Sequence, residues 1–278
     1  MKFALCNEMF GERPLGEVAT LASRLGYQGL EVAPFTLAAD VRDLPLAEVR
    51  RLRRMVEDTG LTVVGFHWLL ASPPGLHIAH PDRSVSERTR EFFLALIDTC
   101  SELGGRLGVL GSPKQRSIEP GWDEGATRQR AADFLRSVLP HAAERGVTLC
   151  LEPLSPDETN FLTTHAEALD FIREVGHSNC RLILDVKAMA SEERPFGDII
   201  RASAALLAHV HANDANRRGP GFGETDFVPI LRTLAEVGYQ GYLSVEVFHF
   251  DPDPQTIARE RLAYLRRTLA TATGQSNS

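Results

Sequence analysis

Four polar side chains each close a short apolar run in the second half of this chain. Glu152 follows the run 147–151, Asp185 follows 181–184, His211 follows 206–210, and Glu246 lies near the end of 242–247. Taken singly, a carboxylate at such a place can cap the next helix, and a lone histidine can be a satisfied core residue. Taken together they point to other chemistry. Three carboxylates brought to one place repel each other unless a cation lies among them. Three oxygen donors and one imidazole suit Mn²⁺, Mg²⁺ or Co²⁺ better than a structural zinc, which favours sulfur and nitrogen. His209 alternates with His211 on the same face, one layer deeper, where it packs or supports the ligands.

These groups act together only if the runs that carry them converge. Strand-like runs occur at 2–6, 29–33, 62–66, 107–110, 147–151, 181–184, 206–210 and 242–247. The stretches between and after them predict helices over 14–26, 45–59, 84–103, 124–145, 164–176, 196–204, 226–237 and 254–271. Eight strands each followed by a helix, at a spacing of roughly thirty residues, is the count of an α/β (β/α)8 barrel. Its strand ends share one mouth, which brings positions 152, 185, 211 and 246 together. A doubly wound sheet is the competing fold. No glycine-rich phosphate fingerprint follows an early run, which weakens it.

Local signals agree with the barrel. Ser84 with Glu87 three residues on predicts a capping box opening the third helix, and Gly26 and Gly104 predict left-handed helix ends. The segment 49–55 holds four arginines, but Leu46, Val49, Leu52, Val56 and Leu61 recur at helical spacing. The arginines are therefore the solvated face of a helix rather than a polyanion site. No linker interrupts the alternation. One domain over 1–270 is expected, with a small, polar tail at 271–278 that frays.

Composition narrows the function classes. The chain has 278 residues, 43% apolar and 24% charged, with a net charge of −7. That is enough apolar material for a large core, and the charge opposes nucleic-acid binding. No run approaches the ~20 apolar residues of a membrane helix, and the start of the chain lacks a signal-peptide pattern. Cys6, Cys100, Cys150 and Cys180 have no zinc-knuckle or redox spacing, so buried thiols in a reducing cytoplasm are expected.

The motifs carry a resemblance across essentially the whole chain. Glu-Pro-Leu (152–154), Leu-Asp-Val-Lys-Ala-Met (184–189), His-Val-His-Ala-Asn-Asp-Ala-Asn-Arg-Arg-Gly-Pro-Gly (209–221), Gly-Phe-Gly-Glu-Thr-Asp-Phe (221–227) and Ser-Val-Glu-Val (244–247) resemble the xylose-isomerase-like TIM-barrel superfamily. Within it they are most similar to sugar epimerases and isomerases of the ketose 3-epimerase type. The resemblance implies one divalent ion, Mn²⁺ ahead of Mg²⁺ or Co²⁺, on Glu152, Asp185, His211 and Glu246. That ion would acidify the C–H beside a sugar carbonyl and stabilise the enediolate. Glu152 and Glu246 would act as acid and base on opposite faces of that carbon. Glu158 and Arg217 match positions that bind substrate oxygens, and a homodimer or homotetramer is implied. One position departs: where ketose 3-epimerases carry a histidine, this chain has Ala188, preceded by Lys187. Lys187 either points into the site as a cation near the carbonyl oxygen or points out into solvent.

Other residues are candidates for the mouth. His67 and Trp68 end the third run, Glu31 the second, and Asn7 and Glu8 the first. His67 at a strand end is a candidate substrate contact. Trp122, after the fourth run, either packs on a sugar ring or packs within its loop. Lys114, also after that run, either meets a substrate oxygen or lies exposed.

Besides the epimerase, three readings stay open. A lyase would use the same deprotonation and then expel water or an aglycone, as in inosose dehydratases and enzymes acting on 3-keto-glycosides. An endonuclease IV-like repair enzyme needs more histidines than this chain offers. A non-catalytic sugar-binding module has little use for two opposed glutamates.

Overall fold

Each strand is short because glycine or polar residues bound its apolar run, and among the described residues six helices start where a side chain accepts from a first-turn N–H while three follow a proline. A computed structural model describes residues 1–274. Its elements alternate as β1 (Lys2–Cys6), α1 (Leu15–Leu25), β2 (Gly29–Val32), α2 (Leu46–Glu57), β3 (Thr62–Phe66), α3 (Arg83–Leu103), β4 (Leu107–Leu110) and α4 (Glu124–Glu144). The second half continues with β5 (Thr148–Leu151), α5 (His165–Val175), β6 (Cys180–Asp185), α6 (Val186–Ala190), α7 (Phe196–Ser203), β7 (Leu207–Ala212), α8 (Phe227–Glu236), β8 (Tyr242–Val245) and α9 (Pro254–Thr273). The eight strands pair in parallel and in order, and β1 pairs with β8, so the sheet closes into a (β/α)8 barrel.

The barrel has two kinds of interior. Leu149 and Leu151 of β5 and Leu182 and Leu184 of β6 face the helices and join the main core. Cys150 and Ile183 point the opposite way and meet Val109 in a small apolar plug. The alternation of a strand makes this division. The rest of the inward face is polar: Glu31, His67, His209 and His211 are all buried. The four cysteines are buried free thiols. Among the described residues, no helix is long and apolar enough to cross a membrane.

Three local expectations need correction. The third helix begins one residue early, because Asp82 rather than Ser84 is its N-cap and accepts from the Ser84 N–H at 2.8 Å. Glu87 pairs with Arg83 at 2.6 Å instead of closing a capping box. The last helix continues to Thr273, so 271–273 are not tail; 275–278 lie outside the described residues. On α2, Val49, Leu52 and Val56 are buried while Arg51 and Arg53 pair with Glu48 and Glu57, as expected of a solvated face. Leu46, however, is exposed. The short helix α6 was not anticipated. Asp185 caps it by accepting from the Ala188 N–H at 2.8 Å, which fixes this carboxylate at the barrel mouth.

Candidate active site

Four strand ends meet at one point. Glu152 follows β5, Asp185 ends β6, His211 lies in β7 and Glu246 follows β8. One ligand atom from each lies within 4.8 Å of the others, and all four residues are buried. Backbone hydrogen bonds extend the sheet just far enough to set two of them. The Glu152 N–H donates to Leu110 at 3.4 Å, and the Glu246 N–H donates to Ala212 at 3.3 Å. Gly111 leaves room for Glu152, since a Cβ there would sit 1.6 Å from its Oε2.

The electrostatics of the cluster call for positive charge. Burial first, and then the charges of Glu152 and Glu246, push Asp185 up to about 7 against the pull of Lys187. Burial disfavours a charged His211, yet Glu246 and Glu31 outweigh it and hold its pKa well above the usual histidine range. Its Nδ1 lies 3.2 Å from Glu246 and 3.5 Å from Glu152 and has no hydrogen-bond partner. Its Nε2 lies 3.0 Å from Glu31 Oε1. A carboxylate only accepts, so Nε2 carries the proton in the neutral ring. That leaves the Nδ1 lone pair facing three carboxylates, a donor set that fits a divalent cation.

Behind this layer, Glu31 spans the barrel interior from β2. Its second oxygen meets His209 Nε2 at 2.7 Å. Burial opposes its ionisation, but His209 and His211 hold its carboxyl well below the usual range. His67 lies beside it, with Nδ1 3.5 Å from Glu31 and Nε2 2.9 Å from Glu8. Burial works against a charge on His67, but Glu8 and then Glu31 outweigh it and push its pKa up to about 10. Sequence reasoning placed Glu31 and Glu8 at strand ends without assigning either a role. The usable signal was a lone glutamate within the apolar Gly-Leu-Glu-Val of β2, opposite two histidines that alternate on β7.

The remaining wall answers the question over Lys187. Its ammonium points inward and donates to both oxygens of Glu158, at 2.7 and 2.6 Å, above the ring of Phe248. Ser155 Oγ also donates to Glu158, and Asn213 Oδ1 accepts from the Lys187 N–H. From β3, the indole of Trp68 donates to Glu246 Oε1 at 3.1 Å. His67, Trp68, Glu152, Lys187, Glu246 and Phe248 line a cavity of about 20 Å³. This holds about one water.

Two candidates lie apart from this cavity. Trp122 packs edge-on against His77 and His80, with the Arg130 guanidinium over its ring. Arg217 is exposed at the rim with a left-handed backbone, φ 66°. Its carbonyl accepts from the Phe248 N–H at 3.0 Å, so its main chain supports the wall while its side chain faces solvent. Lys114 is exposed.

Comparison with known proteins gives consistent results. Residues 19–268 match the family model described as xylose isomerase-like TIM barrel. A D-psicose 3-epimerase of Enterocloster bolteae is 36% identical over 234 residues, covering 81% of this chain and 74% of its own. A 3-dehydro-D-guloside 4-epimerase of Escherichia coli is 33% identical over 283 residues, covering 96% of this chain and 99% of its own. The solved structure of an L-ribulose 3-epimerase superposes with a TM-score of 0.87 at 26% identity, covering 99% of this chain and 96% of that one.

Proposed function

The chain belongs to the xylose isomerase-like TIM-barrel family, and from that premise we propose that it is a divalent-metal-dependent sugar epimerase working beside a carbonyl. One observation carries this reading. Glu152 and Glu246 approach His211 Nδ1 from the ends of two different strands, β5 and β8, and both line the cavity. Relatives named as 3-epimerases and as a 4-epimerase support a sugar substrate and inversion at carbon.

Glu152, Asp185, His211 and Glu246 would hold the ion, Mn²⁺ ahead of Mg²⁺ or Co²⁺. When bound, it supplies Lewis acidity that lowers the pKa of the C–H next to the carbonyl. The rest of the work falls to side chains of this chain. One glutamate removes the proton from one face of the carbon, and the other returns a proton to the opposite face, which inverts it. Trp68 fixes the carboxylate plane of Glu246 through its indole N–H. Lys187 and Glu158 present a donor and an acceptor to substrate hydroxyls, in place of the histidine that Ala188 replaces. The aromatic and apolar residues that close the cavity keep bulk water from the deprotonated carbon.

A lyase is the second reading, and Lys187 favours it. Burial opposes its charge, but Asp185 and Glu158 raise its pKa, so it stays a protonated donor at the cavity wall. Such a donor can protonate a leaving group after the same first step.

The test is solvent-deuterium incorporation. Mn²⁺-loaded protein in D₂O is given ketohexoses, ketopentoses, inososes and 3-keto-glycosides, with Glu246→Gln as control. An epimerised sugar carrying deuterium, absent in the control, supports the proposal. A product that has lost water or an aglycone moves it to the lyase. No exchange with any sugar, with metal bound, overturns both.

A further inference from the structure

Arg116 is among the largest fully buried side chains, 1% exposed, and the chemistry above makes no use of it. It stands in the connection between β4 and α4. A guanidinium carries five N–H donors. One of them, on Nη1, reaches the Leu110 carbonyl at 3.4 Å, while Nε and Nη2 meet no acceptor among the described residues. Burial pulls its pKa down to about 10 against the charges of Glu152 and Glu158, so it stays a cation at neutral pH.

A dry cation with one long hydrogen bond does little to stabilise a fold, and removing two charges' worth of hydration for so little return is costly. Other contacts hold this connection. The Gln115 carbonyl accepts from the Ile78 N–H at 2.9 Å. The Ser117 carbonyl accepts from His77 Nε2 at 2.9 Å, and the Ser117 hydroxyl lies 3.0 Å from that of Thr159. Asn160 accepts from the Ile118 N–H at 2.7 Å and donates to the Ile118 carbonyl at 2.9 Å. None of these bonds uses the guanidinium, so the loop keeps its course without it. A buried polar group left so incompletely paired calls for a role other than packing.

The surroundings of Arg116 point to Glu152. The Leu110 carbonyl that accepts from Arg116 also accepts from the Glu152 N–H, at 3.4 Å. Gly111, the next residue, leaves the space that the Glu152 carboxylate fills. Leu110 and Gly111 are thus the floor on which Glu152 stands, and Arg116 is bonded to that floor. Lys187 is committed to Glu158, whereas the charge of Arg116 is not taken up by a bonded carboxylate. Shielded from water, such a charge acts on its neighbours more strongly than a surface one. We propose that Arg116 is a positioning residue for Glu152, holding its backbone through the shared Leu110 carbonyl and its carboxylate through the attraction of a buried cation. This role rests on the epimerase reading above, in which Glu152 exchanges a proton with the sugar.

The experiment compares Arg116→Met, which keeps much of the bulk without charge or donor, with Arg116→Lys, which keeps a cation and a donor. kcat and KM are measured with Mn²⁺-loaded protein on whichever of the ketohexoses, ketopentoses, inososes and 3-keto-glycosides the wild type epimerises. Thermal unfolding is measured on all three proteins. Arg116→Met is expected to lower kcat by about tenfold to a hundredfold, the cost of a misplaced catalytic group, with KM changed by less than about twofold. Its Tm is expected to equal or exceed that of wild type, because an apolar side chain replaces a poorly paired buried charge. Arg116→Lys is expected to recover most of the lost kcat. A structural arginine gives a different pattern: a lower Tm, or no folded protein, in Arg116→Met overturns the proposal. So does an unchanged kcat, a change confined to KM, or an Arg116→Lys no more active than Arg116→Met. A wild type that epimerises none of these sugars removes the epimerase reading and this role with it, whereas an active wild type matched by Arg116→Met removes this role alone.

Discussion

The indole nitrogen of Trp68 donates to Glu246 at 3.1 Å, tying the end of β3 to the end of β8 across the barrel mouth. Trp68 does so with a left-handed backbone, φ 54°, a conformation that costs a side-chain-bearing residue on the order of 1 kcal/mol or more. The surrounding structure maintains that strain at the one place where an indole reaches a proposed catalytic carboxylate. Trp68→Phe keeps the apolar bulk and removes the donor. A hydrogen bond to a charged group contributes about 1.5–3 kcal/mol, so kcat is expected to fall roughly tenfold to a hundredfold. Steady-state kinetics decides: a change confined to KM would make Trp68 a substrate contact only.

Glu152→Gln and Glu246→Gln are each expected to abolish turnover and deuterium exchange. An amide still coordinates through its oxygen but no longer accepts the substrate's proton. Metal analysis on the purified variants separates the two roles. Full activity in either variant removes the two-glutamate mechanism.

Glu31→Gln tests the support behind the metal ligands. Glu31 fixes the His211 ring through Nε2, and loss of such a partner costs about 10–100-fold in metal affinity. Titration calorimetry with Mn²⁺ reads this directly. Unchanged affinity would reduce Glu31 to a packing residue.

Proton and metal compete for His211. Its neighbours hold its pKa above the usual range in the metal-free cluster and that of Asp185 is pushed up to about 7, so a binding ion competes with protons at these ligands. Affinity is therefore expected to rise with pH, by about tenfold per unit for one proton released. Calorimetry in two buffers of different ionisation enthalpy counts the protons. A flat affinity between about pH 6 and about pH 8 would argue against His211 as a ligand.

Lys187→Met leaves Glu158 half-buried without its cation. A cost of roughly 2–3 kcal/mol is expected, between the values for surface and for buried pairs, and Glu158→Gln in the same chain should restore most of it. Thermal unfolding measures both. The pH dependence follows from Glu158, whose pKa the ammonium lowers despite partial burial. The pair's contribution is present above the unfolded glutamate pKa and is lost as pH falls through the lower, folded value. A wild-type acid limb identical to that of the double variant would contradict this.

The barrel was legible because each strand is an apolar run and each helix an amphipathic one. Its strand order follows from that alternation once the sheet closes. The four proposed ligands were legible because each closes an apolar run, where a polar side chain has no packing reason to be. Helix α6 was not, because five residues after β6 are too few to show a period. The capping box at Ser84 misled because Asp82, two residues earlier, competes for the same N–H groups. Trp68 stood at a strand end, but the reach of its indole depends on a backbone angle that residue type does not announce. Glu31 was the hardest to interpret: its partners come from β7, and nothing near it in the chain explains a carboxylate among Leu30, Val32 and Ala33.

The carboxylate of Glu31 meets its two imidazoles 178 and 180 positions later in the chain. During synthesis the first six strands are made before either histidine exists. Until then Glu31 has only His67, 3.5 Å away, beside it, and burying it without its two closer imidazoles is costly. The early strands must therefore wait, hydrated and incompletely packed, for β7 to arrive. Arrival of His209 and His211 makes it possible to dry the interior, so the last quarter of the polypeptide licenses the folding of the first.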